Sequence, residues 1–238
     1  MAVSESTVFC TTIEAAGLDI HSENYPYLQC NAQLLQGYVP PIASVKAIDN
    51  FDTFLTRKLF TYNAARCVIA YIGALLGYED YGAAANDPLV LSLMDKNYGQ
   101  TNRALCRHFG YDPQDQAEFA ALSRRKFCDR TIADTIARNA REPHRKLAAG
   151  ERIIGAATLL QRCGMDTSVL ALTAAAAMLY TDPSDKVWSA MQAENSCAEL
   201  LQTLCGLSQD DPLHQAILTY HAQLSSDPTA VINKAKGE

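Results

Sequence analysis

The sequence predicts an all-α protein with a short irregular N-terminal arm, and three observations lead there. From Phe51 onward, apolar residues recur at helical spacing in one segment after another. Asp-Pro pairs at Asp87-Pro88, Asp112-Pro113 and Asp211-Pro212 put an N-cap and a first-turn proline in front of such segments. Glycines at 77, 110, 164 and 206 stand where the segments stop.

Taken in order, these signals predict helices over 51–77, 88–109, 113–126, 130–141, 149–163, 167–180, 184–205 with a break near Asn195, and 212–225. The segment before them differs. TVFCTTI has the β-branched character of a strand, and NYPYLQCNAQLLQGYVPPI is rich in turn formers, so residues 1–45 read as an arm or the remnant of a preceding domain. Residues 46–238 then form one helical domain.

Composition narrows the function classes. A chain of 238 residues that is 48% hydrophobic can bury a substantial core. A net charge of -6 argues against a surface given over to nucleic acid or membrane. The eight cysteines never approach as C-x-x-C, and the opening MAVSESTVFC lacks a basic stretch followed by an apolar one. Reduced thiols and a cytoplasmic location are expected. No G-x-G-x-x-G or G-x-x-x-x-G-K-[ST] occurs, so no nucleotide cradle is expected in this chain. The five histidines offer no H-E-x-x-H or Cys-His ligand spacing, so no metal site is expected either.

Two groups of polar residues stand out. Lys58, Asn63 and Arg66 interrupt an otherwise apolar helix, and at about 100° per residue they fall within an arc of roughly 140°. On spacing alone, solvated Lys58 and Arg66 with a structural Asn63 is the plainer account; a shared cleft is the functional one. The second group lies in residues 124–152, which hold nine Lys or Arg against four acids. Arg138, Arg141, Arg145 and Lys146 cluster around Pro143, and guanidinium forks suit phosphate or carboxylate. A solvated face with local ion pairs competes evenly with an anion site on composition. Phe127 is the only aromatic residue there for base stacking, so nucleic acid is not the expected partner.

The stretch KLFTYNAARCVIAYIGALLGY resembles the hallmark helix of the long-chain polyol dehydrogenases, the mannitol and mannitol-1-phosphate dehydrogenase family. The family pattern has a Lys, an Asn five residues on, a His three further and then Ala-Tyr-x-Gly. Lys58, Asn63 and the AYIG at 70–73 match it, and Arg66 stands in place of the His. R-x-x-R-E-P-x-R-K-L at 138–147 is similar to a second family segment, and the likeness extends diffusely from about Leu18 to Leu224.

The resemblance implies the C-terminal, substrate-binding domain of an NAD-dependent polyol or polyol-phosphate dehydrogenase. Lys58 would be the general base that takes the hydroxyl proton, and Asn63 would hydrogen-bond the reacting oxygen. Arg66 would clamp an anionic substrate or mark a site without turnover. Arg138, Arg141, Arg145 and Lys146 would hold the substrate anion. NAD would be held by a Rossmann domain absent from this sequence, supplied in cis in a longer protein or in trans, so this chain alone is expected to be inactive. The competing expectation is a non-catalytic sugar-phosphate-binding or protein-docking module.

Overall fold

The computed structural model describes residues 3–14, 19–38, 41–131 and 133–237. It divides into two compact units, Met1–Lys58 and Leu59–Glu238.

The first unit is built from short strands and one helix. Strand β1 (Ser6–Thr7) pairs antiparallel with β4 (Leu28–Asn31), and β4 pairs parallel with β5 (Val45–Ile48). Strands β2 (Thr12–Glu14) and β3 (Ile20–Ser22) form a separate antiparallel pair. The TVFCTTI segment is therefore two short strands separated by Val8–Thr11, where a single strand is expected. The turn-rich stretch supplies β4 and a turn after it, in which Asn31 Oδ1 accepts from the backbone N–H groups of Gln33 and Leu34; its Val39 and Pro40 lie outside the described residues. Helix α1 (Phe51–Lys58) completes the unit. Its small core gathers Phe9, Cys30, Leu35 and Phe51, with the Phe9 ring 5.5 Å from that of Tyr25 and 6.0 Å from that of Phe54.

The second unit is helical from its first residue. A π-helical turn, Leu59–Asn63, leads into α2 (Ala64–Leu75). There follow α3 (Tyr81–Ala85), α4 (Pro88–Phe109), α5 (Pro113–Cys128), α6 (Ile136–Ala140) and α7 (Pro143–Leu147). After these come α8 (Ile154–Arg162), α9 (Ser168–Leu179), α10 (Lys186–Glu194), α11 (Cys197–Thr203), α12 (Pro212–Ser226) and α13 (Pro228–Gly237).

The Asp-Pro punctuation works as the physics requires. Asp87, Asp112 and Asp211 each accept from backbone N–H groups of the first turn they precede. Gly77, Gly110, Gly164 and Gly206 all stop helices or turns at positive φ, where a side chain would be strained. At the break near Asn195, Ser196 and Glu199 form a reciprocal capping box that opens α11.

Helices α2 and α9 lie at the centre, packed on each other, with α4 against both. Helix α9 is apolar all round, and every residue from Val169 to Met178 is buried. Trp188 on α10 is fully buried, and its indole N–H donates to Tyr180 O at 2.8 Å. Among the described residues no helix is long and apolar enough to cross a membrane.

Close packing explains the glycine in the AYIG stretch. A Cβ on Gly73 would lie 2.9 Å from both Ala84 Cβ and Ile136 Cδ1, so α3 and α6 approach α2 through that gap. Gly73→Ala is expected to cost about 1–3 kcal/mol by overpacking. Thermal unfolding should show it as a melting temperature lowered by roughly 2 to 12 °C; an unchanged midpoint would mean that the approach relaxes freely.

Candidate active site

The helix expected over 51–77 is not continuous α-helix. The π turn at Leu59–Asn63 closes i→i+5 bonds and adds a residue to one turn, so the 100°-per-residue wheel does not carry through it.

In the first unit, the Lys58 ammonium donates to Thr7 Oγ1 at 2.6 Å and Val8 O at 2.5 Å, and sits 4.5 Å from the centroid of the Phe9 ring. Both of these acceptors are neutral, and the ring offers its negative face to the cation.

In the second unit, Asn63 ends the π turn and is half-buried. Three residues on, the half-buried Arg66 lies over Phe127, 5.4 Å from guanidinium carbon to ring centroid. The next residue, Cys67, is buried, and burial pushes its thiol up while Lys146, Arg152 and Arg66, in that order, pull it down. The Cys67 thiol thus feels the field of three cations, opposed by that of Glu151.

The basic cluster divides. Arg138, Arg141 and Arg145 are exposed; Arg138 pairs with Asp134 at 3.3 Å and Arg145 with Glu142 at 2.8 Å. Lys146 is only 5% exposed. Its ammonium donates to Asn139 O at 2.7 Å and to Arg141 O, and lies 5.8 Å from the Tyr71 ring centroid. Tyr71 in turn donates to Ala140 O at 2.9 Å. Three consecutive carbonyls at the end of α6 are thereby satisfied by side chains. Burial brings the Lys146 ammonium down to about 8.

The local backbone follows from Pro143. Helix α6 stops at Ala140, and Glu142 takes a left-handed conformation, φ 58°, before the proline opens α7. The helix expected over 130–141 starts only at Ile136, where Thr135 caps it, and Ile132 lies outside the described residues. His144 is half-buried, with its Nδ1 buried and unpartnered.

Sequence reasoning missed Cys67, Tyr71 and Arg152. Arg152 pairs with Glu151 at 3.0 Å and is mostly buried, with 14% of its side chain exposed. The available signal for Tyr71 was a lone hydroxyl in the apolar run VIAYIGALL, which must find a partner when buried.

Chemically, cations gathered on a buried helix face favour an anion that brings its own charge. Among the described residues no group of three or more His, Cys, Asp or Glu side chains could hold a metal ion. Strands β4 and β5 pair in parallel, and the sequence between them holds no G-x-G-x-x-G, so no step through NAD is derived from these residues.

Comparison with known proteins identifies the family. The profile of the family described as the mannitol dehydrogenase C-terminal domain matches residues 50–235. Mannitol-1-phosphate 5-dehydrogenase of Exiguobacterium sibiricum is 31% identical over 188 residues, covering 78% of this chain and 49% of that protein. The Brevibacillus brevis enzyme of the same name is 30% identical over 184 residues, covering 76% and 48%. The chain spans about half the length of the curated relatives it matches.

Two solved structures share the fold. Mannitol 2-dehydrogenase of Pseudomonas fluorescens, in a ternary complex with NAD and D-mannitol, has a TM-score of 0.66 at 17% identity, over 90% of this chain and 47% of that one. A D-sorbitol dehydrogenase in substrate-free form has a TM-score of 0.74 at 16% identity, over 96% and 54%. The all-α fold, its match over residues 50–235 and its curated relatives together show that this chain belongs to the mannitol dehydrogenase C-terminal domain family.

Proposed function

We propose that this chain is the substrate-binding and proton-handling domain of an NAD-dependent polyol or polyol-phosphate dehydrogenase, with a mannitol 1-phosphate-like substrate. In this reading the neutral form of Lys58 takes the substrate hydroxyl proton and the Asn63 carboxamide donates to the reacting oxygen. The Arg138, Arg141, Arg145 and Lys146 segment supplies positive charge to the substrate anion. Arg66 adds a permanent cation where the family has a titratable His. NAD is held by a nucleotide-binding domain, in cis or in trans.

The observation that carries the reading is the family match over residues 50–235, which spans both polar groups, with mannitol-1-phosphate 5-dehydrogenases among the relatives. The π turn that ends in Asn63 supports it, because such turns occur frequently at functional sites. A second reading, a sugar-phosphate-binding or protein-docking module without turnover, is favoured by Arg66, which cannot exchange a proton as a histidine does.

Thermal unfolding against mannitol 1-phosphate, fructose 6-phosphate, mannitol and NAD tests the proposal. A ligand at about 100 times its dissociation constant stabilises by about 2.7 kcal/mol, a shift of roughly 5 to 10 °C for a chain of this size. The expected result is a shift with a sugar phosphate and none with NAD, reduced in Lys58→Ala and Arg145→Ala. No shift with any of the four would reject sugar-phosphate binding by this chain.

A further inference from the structure

A π turn is less favourable than the α-helix it interrupts, so something outside it must hold it open. In the second unit, α4 and α5 both pack on Leu59–Asn63, and α5 brings it a hydrogen bond and two ring contacts. Gln116, fully buried on α5, donates through Nε2 to Thr61 Oγ1 at 3.1 Å and to Asn102 Oδ1 on α4 at 2.9 Å. Thr61 is itself fully buried within the turn. One residue on, the Tyr62 ring meets Phe119 edge-on at 4.9 Å and Phe127 at 6.1 Å, both again from α5. Phe127 also underlies Arg66.

We infer that α5 is a clamp that keeps Leu59–Asn63 in its π form, with Gln116 as the positioning residue. The carboxamide bridges the turn to α4, so Thr61 is tied to two elements whose relative position is set by their own packing. Both groups are buried, and neither can exchange this bond for water. The aromatic contacts define where Tyr62 sits but have no directional hold on the backbone; the hydrogen bond supplies it. Loss of the clamp lets the turn tighten to α geometry, which rotates the residues on one side of it by about 100° for the residue removed from the turn. The consequence for substrate binding rests on the reading of Asn63 given above, because the turn sets how Asn63 is presented at the start of α2.

The test uses Gln116→Leu and Thr61→Val, which remove the bond with little change of volume, and Thr61→Ser, which keeps the hydroxyl. Amide hydrogen exchange over residues 59–66 is measured beside exchange in α9 and beside the thermal shift with mannitol 1-phosphate. The expected result is exchange over 59–66 faster by about tenfold or more in Gln116→Leu and Thr61→Val. Exchange in α9 should be unchanged, the sugar-phosphate shift should fall by at least half, and Thr61→Ser should match the wild type in each readout. Should Gln116→Leu fail to fold, Thr61→Val against Thr61→Ser decides alone. Wild-type exchange over 59–66 in Thr61→Val overturns the clamp. A wild-type protein that shows no shift with any sugar phosphate overturns the functional reading instead, and the exchange data still decide the clamp.

Discussion

Raising the pH from 8 to 10.5 is expected to stabilise the wild type relative to Lys146→Met, by on the order of 3 kcal/mol. The cause is the buried ammonium of Lys146, which burial lowers from its ordinary 10.5 to about 8. Between those values the unfolded chain binds the proton more tightly than the folded one, so stability rises with pH across that window. Below pH 8 the group is charged in both states, and the folded state bears the whole cost of burying it. Groups of the opposite sign are present. Burial raises Cys67, Tyr71 and Tyr81, so the unfolded state releases their protons first and stability falls as the pH climbs past their ordinary values.

Comparison with Lys146→Met separates the two effects, because the mutant keeps the thiol and the phenols. The substitution also leaves Asn139 O and Arg141 O without their donor, at about 1–3 kcal/mol each. That loss adds a constant offset to the pH-dependent difference. Urea unfolding of both proteins, followed by helical circular dichroism at intervals from pH 7 to 10.5, checks it. A difference that stays flat over that range would show that Lys146 is not buried as a cation.

Gly155→Ala is expected to cost about 3 kcal/mol or more, at the upper end of overpacking penalties, and to lower the melting temperature by roughly 6 to 12 °C. A Cβ at Gly155 would lie 2.3 Å from the carbonyl oxygen of Gly150 and 2.5 Å from its carbon. Both are backbone atoms, and no rotamer change relieves the clash. The turn cannot easily back away either, because Gly150 sits at φ 81° and Ala149 N–H is tied to Leu204 O at 3.1 Å. The displaced residues include Glu151 and Arg152, so the cations near Cys67 would shift as well. Gly99→Ala is the matched control: Gly99 lies inside α4 with nothing within 4 Å of its would-be Cβ, and there alanine should stabilise by about 0.5–1 kcal/mol. Equal effects at the two positions would reject the steric account.

Much of the helical frame was legible because its signals are local. An aspartate before a proline caps the next helix through its own side chain, whatever the rest of the chain does. The same rule, applied once more at Asp227-Pro228, would have found α13; Asp227 Oδ1 accepts from Ala230 N–H at 3.0 Å. Asp182-Pro183 shows where the rule fails, since Asp182 turns back onto Ser184 and it is Asp185 that caps α10. Helix α8 starts at Ile154 instead of 149 because the Gly150 turn occupies the intervening residues.

Tertiary features were not legible. LFTYN contains no glycine or proline, and nothing in it announces a π turn that packing from α5 accompanies. The short strands of the first unit, two to four residues each, lack a run long enough to show alternation. Within the basic segment, composition could not separate the buried Lys146 from the exposed Arg138, Arg141 and Arg145, because what distinguishes them is a set of backbone carbonyls created by the fold. Lys58 and Asn63 stand as candidates on their spacing together with a family likeness, because spacing alone favours a solvated lysine and a structural asparagine.

The burial of Trp188 makes it an internal optical label. It is the only indole in the sequence, while the first unit holds Tyr25, Tyr27 and Tyr38 and no tryptophan. Light absorbed by indole alone therefore interrogates the junction of α9 and α10, whereas tyrosine emission mixes both units, because eight of the eleven tyrosines lie in the second. The indole channel alone can then follow the melting of the second unit, with no dye attached and no residue changed.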